Sequence, residues 1–434
     1  MHGARRRAAP NRQRLPNLRV RSTHISGFGT TVARAGAGRH DAAMKRGSIL
    51  ALLLAHLTVA SARPELTAAG LDALYPAYLR IPGSAGRMLV FGGEGADAKA
   101  NDAIYELTFA RATASATWTA RGALAVARRE PEIAVFPGTT VVAIVGGMST
   151  QGSALNAVET FDYATGARTS VATKLPSGLV HHQVVPCGSG PRVLVIGGDD
   201  GSAPVASLTV IDLDATAPGR STVAPLRDLA GRNVRLKAAR SFLGAASIDD
   251  ANSRLLVVGG EMRNGTVSNV GEIIDVTPEC VARRIGATPP LPARRTRGAL
   301  TRTGSGSAIY YAGWNGDSLA LDSFLYDADT NSWHVGPPLP QGYGRMRPPH
   351  AVMDAIIAIA GGDIGPLRGP AVPATNWAVY FPENGGEWTP GDAPATMNHP
   401  RVGNALAFLD GALITVFGKN TTAAQPFAGL DTPE

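Results

Sequence analysis

An all-β protein built from one repeated antiparallel unit is predicted by three observations. An apolar run ending at a glycine pair returns about every fifty residues, a strand-like segment follows each run, and an outer segment often carrying Trp follows that. Apolar residues make up 44% of the 434-residue chain and charged residues 17%, with 51 Gly and 31 Pro, which suits a turn-rich globular protein and excludes a disordered one.

The apolar runs occupy residues 88–93, 142–147, 193–198, 255–260, 309–313, 356–362 and 413–418. Their β-branched and aromatic residues lack polar alternation, so each reads as a strand covered on both faces. The glycines fit a sharp turn at φ > 0 or a close backbone approach. A parallel α/β sheet would require helical patterns between the runs, and none is present. Second strands are predicted at 103–107, 158–162, 208–213, 272–276, 324–327 and 378–381, and outer strands around Trp118, Trp333 and Trp388. Three copies depart from the pattern: Arg168 stands where Trp is expected, and Ala312-Gly313 and Phe417-Gly418 replace the glycine pair.

The best copy, residues 324–333, places Tyr326 seven residues before Trp333. With the glycine pairs it resembles the kelch repeat over nearly the whole of residues 63–434. The resemblance implies a kelch-type β-propeller of four-stranded antiparallel blades, seven by the count of glycine motifs, with six as the alternative. The first and last motifs each bring a preceding strand, 77–81 and 405–409, so they are not halves of one blade. Sixteen residues after Gly418 are too few for two outer strands. Residues 64–73 are therefore predicted to close the ring against the last blade.

Residues 1–43 form a separate basic leader, disordered or lying upstream of a true start at Met44. They hold nine Arg and one Asp, so the chain's net charge of +7 belongs to the leader and the remainder sums to −1. That distribution excludes nucleic acid as an expected partner. Met44-Lys45-Arg46, an apolar run and Ala60-Ser61-Ala62 read as a signal peptide over 44–62, cleaved after Ala62. A run of about twelve residues falls short of the roughly twenty needed to span a membrane. The mature chain, 63–434, is thus expected to be secreted or periplasmic, without a membrane span. A transit peptide is the alternative use of the Arg-rich leader.

Successive strands run antiparallel, so the loop leading into each innermost strand shares a face with the loop after each glycine pair. The candidate ligand residues on that face are Arg128, His181, Arg240, Arg294, Arg297, Arg347, His350 and Arg401. Guanidinium groups present planar, permanently charged donors suited to carboxylate, sulfate or phosphate. The competing role is structural, tying blades through carbonyls and acids, with Glu94, Asp199, Asp200, Glu261 and Asp363 on the same face as partners.

Galactose oxidase, a secreted kelch enzyme, needs a copper set that includes a Tyr-linked Cys, and this chain offers only Cys187 and Cys280 and no matching Tyr-His pair. His181 and His182 are adjacent and point to opposite faces of a strand, so no metal site is expected. No cofactor is implied. Cys187 and Cys280 fall in turns on the face opposite the arginines, but at different radial positions, which argues against Cα atoms within about 7 Å and hence against a disulfide. The expected function is a binding or interaction scaffold for a protein, carbohydrate or anionic ligand. The alternative is a small-molecule enzyme similar to the bacterial sialic-acid epimerases, periplasmic kelch propellers in which acid and base groups would act on a sugar acid.

Overall fold

Each apolar run that ends in a glycine pair is the second strand of an antiparallel sheet. The computed structural model describes residues 75–418 apart from 96–97, 114, 383–385 and 392–395. The basic leader, the signal segment 44–62 and the expected closing segment 64–73 lie outside the described residues.

Blade one comprises β1 (Ala77–Arg80), β2 (Arg87–Phe91), β3 (Ala103–Ala110) and β4 (Ser115–Ala123). Blade two comprises β5 (Glu132–Val135), β6 (Val141–Val145), β7 (Val158–Asp162) and β8 (Arg168–Ser170). Blade three runs through β9 (Gln183–Pro186), β10 (Arg192–Ile196), β11 (Leu208–Asp212) and β12 (Thr222–Pro225). Blade four follows as β13 (Gly244–Ser247), β14 (Arg254–Val258), β15 (Gly271–Val276) and β16 (Ala282–Ala287). Blade five contains β17 (Ala299–Gly304), β18 (Ser307–Tyr311), β19 (Phe324–Asp327) and β20 (Ser332–Val335). Blade six contains β21 (His350–Met353), β22 (Ile356–Ala360), β23 (Ala374–Phe381) and β24 (Glu387–Pro390), with β25 (Thr396–Arg401) also paired to β23.

Among the described residues the last motif forms a two-stranded hairpin, β26 (Ala405–Leu409) and β27 (Ala412–Val416). The described residues therefore build six four-stranded blades, the lower of the two expected counts, and the expectation of seven is corrected. The hairpin is wedged between blades six and one. Leu406, Phe408 and Leu413 pack on Ala358 and Ala360, while Ala407, Ile414 and Val416 pack on Met88 and Val90.

The same two-sided packing explains why the runs do not alternate. Leu89 and Phe91 face Val142 and Ile144 of blade two, and the intervening Met88 and Val90 face the hairpin. Side chains still point alternately to opposite faces, but both faces meet another sheet. Each fully buried Leu, Val or Phe contributes about 1.5–3 kcal/mol by leaving water. Tyr326 lies directly opposite Trp333 in the β19–β20 register, with ring centroids 5.0 Å apart, and the indole donates to the Pro289 carbonyl of blade four. In blade two Arg168 replaces Trp and instead pairs with Glu159 at 3.2 Å.

The glycine pairs and the lead-in arginines are two halves of one clamp. The second glycine of a blade donates its N–H to the carbonyl of a lead-in residue on the next blade: Gly93 to Arg128, Gly198 to Arg240, Gly260 to Arg295 and Gly362 to Arg401, at 2.8–3.0 Å. A Cβ on Gly92 would stand 2.4 Å from the Arg128 carbonyl, so the approach excludes a side chain there. The Arg128 and Arg240 side chains then bond the carbonyls of Gly146 and Gly259 in their own blades and pair with Glu159 and Glu272. Ala312 and Phe417, the substitutes for glycine, keep its left-handed backbone with φ of 58° and 63°.

Cys187 and Cys280 form a disulfide with Cα atoms 5.4 Å apart, which corrects the expectation drawn from their radial positions. The turn after β9 leans outward beneath blade four, where Gly188 donates to Asn252 and Ser189 to Pro278. A Cβ on Gly188 would lie 2.2 Å from the Pro278 carbonyl, so glycine permits the approach that brings the two sulfurs together.

Candidate functional site

Seven residues, one leading into each innermost strand, circle the axis with left-handed backbone: Tyr75, Glu130, His181, Phe242, Arg297, Arg347 and Gly403, at φ of 46–66°. Tyr75 donates its N–H to Gly403, Glu130 to Tyr75, Phe242 to His181, Arg297 to Phe242 and Arg347 to Arg297, so backbone bonds run from blade to blade around the ring. Only one of the seven is glycine, although glycine would adopt this conformation at no steric cost. The other six hold a strained backbone worth about 1 kcal/mol or more each, a pattern associated with functional side chains.

Their side chains converge on the axis. Arg347 Nη1 bonds Glu130 Oε1 at 3.0 Å, and His181 Nε2 meets Glu130 Oε2 at 2.7 Å. The Phe242 ring stacks on His181 with centroids 3.8 Å apart, and the guanidinium groups of Arg297 and Arg347 lie over it at 4.1 and 5.1 Å. Arg347 also lies 5.1 Å from the Tyr75 ring. Arg297 approaches Glu261 at 3.6 Å, and Glu261 is bonded at 2.8 Å by Arg368, from the loop joining β22 to β23.

Beneath this ring lies an axial chamber of about 610 Å³. Its middle is lined by Tyr78, Glu132, Gln183 and His350, each on the innermost strand of a different blade. Gln183 Nε2 is 3.4 Å from Glu132 Oε1, and the Tyr78 hydroxyl bridges the backbone N–H and carbonyl of His350. The chamber continues along β1, β21 and β26 to Arg80 and Val352, both exposed, on the opposite face.

The two lumen carboxyls are driven apart in acidity. Burial opposes ionisation of Glu130, but the Arg347 guanidinium, then the hydrogen bond and charge of His181, overcome it and hold the group well below the usual carboxylate range. Glu132 is half-buried on the lumen wall and enclosed by protein, so burial first and the nearby Glu130 charge second push its pKa up to about 8. Burial pushes Tyr78 up to about 12 and lowers His350. At neutral pH the chamber lining therefore presents Arg80, Arg297 and Arg347 against one ionised carboxylate of its own, Glu130, with Glu261 beside Arg297 just outside the lining.

Comparison with known proteins adds the fold and nothing finer. No protein-family model and no curated protein matches the chain. A solved structure described as the structure of YjhT is similar to it, with a TM-score of 0.53 and 14% identity, over 74% of this chain and 98% of that one. At that identity the likeness shows the propeller alone.

Four of the eight residues singled out in the sequence line the chamber: His181, Arg297, Arg347 and His350. The others do not. Arg128, Arg240 and Arg401 are fully buried within the blade contacts, where Arg401 donates to the Phe417 carbonyl, and Arg294 is exposed outside the lining. His182 is fully buried, with a pKa lowered to about 3 by burial and then by the charge of His181, and both histidines precede β9 rather than lying in it. Among the described residues no three His, Cys, Asp or Glu side chains gather to hold a metal.

Tyr75, Glu130, Glu132, Gln183 and Phe242 escaped the sequence reading because none is an arginine or an obvious motif. A positional signal was available: a ring residue stands two places after each clamp arginine, as in 128 and 130, 240 and 242, 295 and 297, 345 and 347, 401 and 403. Arg295 and Arg345 are the clamp residues of blades five and six, and both are buried.

Proposed function

We propose that this chain is a secreted or periplasmic kelch-type propeller that binds a small anionic or acidic carbohydrate ligand in its axial chamber. The carrying observation is the excess of guanidinium groups along the chamber lining, where Arg80, Arg297 and Arg347 stand with Glu130 as the one ionised carboxylate of the lining and Glu261 behind Arg297. Guanidinium groups held against the Phe242 ring are positioned in advance, so little ordering remains to oppose binding. The glycine clamps and the Tyr326–Trp333 pair support the kelch reading, and the basic n-region with its short apolar run supports export. The Cys187–Cys280 disulfide is compatible with an oxidising compartment.

Titration calorimetry with a panel of sugar acids and small carboxylates tests this reading. Wild type is expected to bind at least one of them, and Arg347→Ala to weaken that binding by tenfold or more, as expected for loss of a charge-assisted bond, about 1.5–3 kcal/mol. Absence of binding across the panel rejects the proposal.

A second reading, an enzyme similar to the sialic-acid epimerases, is favoured by one observation. Glu130 and Glu132 sit two residues apart in the lumen, and Glu132, with a pKa raised to about 8 by burial and then by the Glu130 charge, is poised to exchange a proton near neutral pH. Faster equilibration of sugar-acid anomers, followed by NMR and lost in Glu132→Gln, would support it, and unchanged equilibration would dismiss it.

A further inference from the structure

The chamber is not polar throughout, and its two ends differ in chemistry. Near the ring it carries Glu130, His181, Arg297 and Arg347. Towards the opposite face the lining is apolar apart from Arg80 at the rim: Leu79 and Val352 keep exposed surface there, while Ala351, Leu406, Ala407 and Phe408 stand behind them, nearly buried. This apolar stretch belongs to blades one and six and to the two-stranded hairpin.

Arg297 is the polar group with unused capacity. Its Nε is buried without a hydrogen-bond partner, and its contact with Glu261, at 3.6 Å, is too long to be a hydrogen bond. The Arg297 side chain keeps 17% of its surface exposed and lines the chamber, so an acceptor in the lumen meets the guanidinium there rather than at the enclosed Nε. Arg347 shares the Phe242 ring with Arg297 and already bonds Glu130, so both guanidinium groups stand at one end of the chamber, with Leu79, Val352 and Arg80 at the other.

We infer that the chamber takes an amphiphilic anion, with a carboxylate or sulfonate held beside Arg297 and Arg347 and an apolar body lying along β1, β21 and β26 towards the opposite face. This rests on the reading of the chamber as the ligand site and adds the ligand's shape and polarity. A volume near 610 Å³ lies within the range of about 300–1,000 Å³ that small-molecule sites occupy. A fully hydroxylated sugar would set polar groups against Leu79 and Val352, whereas an apolar body loses nothing there.

The test uses 8-anilinonaphthalene-1-sulfonate as the probe, an anion on an aromatic body whose fluorescence rises in apolar surroundings. One saturable site is expected, displaced by dodecanoate. Arg297→Gln should weaken it about tenfold, consistent with loss of a charge-assisted bond. Arg297→Lys, which keeps the charge, should lose less. Val352→Trp, which fills the apolar end without touching the ring, should weaken the probe comparably. Leu229→Ser, at an exposed apolar tip far along the chain, should leave it unchanged. Unchanged affinity in both Arg297→Gln and Val352→Trp, each shown to be folded by its unfolding midpoint, overturns the inference. Binding of sugar acids without displacement by dodecanoate or the probe also overturns it while leaving the chamber as a ligand site. Absence of binding by any of these anions removes both.

Discussion

Arg347 and Glu130 belong to blades six and two, yet they meet at 3.0 Å across the mouth of the axial channel. Their pairing closes that end with side chains rather than backbone, and His181 completes it from blade three. The Arg347 side chain remains 27% exposed, so solvent screens part of the interaction. Arg347→Ala should therefore cost only about 1–2 kcal/mol of stability, between a surface pair and a buried one, as read by urea denaturation. A loss as large as that for a buried clamp would place Arg347 in the framework of the fold.

The buried clamps should behave differently. Arg240 and Glu272 are both fully buried, and removing either leaves an uncompensated charge in the interior. Glu272→Ala is expected to destabilise by about 3–5 kcal/mol. Exchanging both partners for apolar residues of similar volume should cost less than the single change. Equal losses for the single and double variants would contradict this account of the clamp.

Stability should fall with rising pH in a window set by Glu132. Its pKa in the folded protein is about 8, above the ordinary value of 4.5, so between these limits the folded state holds a proton that the unfolded state has released. The stabilisation is complete below pH 4.5 and is lost as pH rises through 8, with a slope on the order of 1.4 kcal/mol per pH unit. His182 and His350, whose pKa values are lowered from 6.5, act in the opposite sense below that value, so pH 6.5–8 isolates the carboxyl. Melting curves across pH 6.5–8 should slope downward in wild type and flatten in Glu132→Gln. The same slope in both would remove Glu132 as its source.

The disulfide closes a loop between residues 93 apart in sequence, which on chain entropy contributes about 4–5 kcal/mol. The Cys187→Ala, Cys280→Ala double variant should lose most of this while keeping the sheet signal in circular dichroism. A melting point unchanged from wild type would show that the Gly188 and Ser189 contacts alone hold the turn beneath blade four.

The fold was legible because its repeat is written in residues that only one geometry satisfies. Glycine pairs, apolar runs covered on both faces and the Tyr326–Trp333 spacing each have a local cause, and the strands at 158–162 and 324–327 fall where they were expected. Blade number was less legible, since the seventh motif announces an inner hairpin whether or not outer strands follow it. The site was half legible. Arginine content pointed to the face that carries the ring of left-handed residues but did not separate Arg240, whose side chain turns into the wall, from Arg347, whose side chain crosses the mouth. That difference comes from the left-handed backbone two residues after each clamp, which nothing in the side chains of Tyr75, Glu130 or Phe242 advertises. The disulfide was missed because a turn displaced by Gly188 changes radius in a way that strand order does not encode.

The central claim, that the axial chamber is an accessible site favouring anions, is tested most directly by thiol labelling inside it. Gln183 lines the lumen, so Gln183→Cys places one reactive thiol there while the native disulfide stays closed. Rates are compared at pH 7 and low salt for an anionic sulfonatoethyl and a cationic trimethylammonioethyl methanethiosulfonate, each corrected for its rate with a free thiol. An excess of guanidinium groups predicts that the anionic reagent reacts faster by about tenfold, with the preference reduced in Arg347→Ala. A faster cationic reagent, or a thiol that neither reagent reaches, would contradict the account.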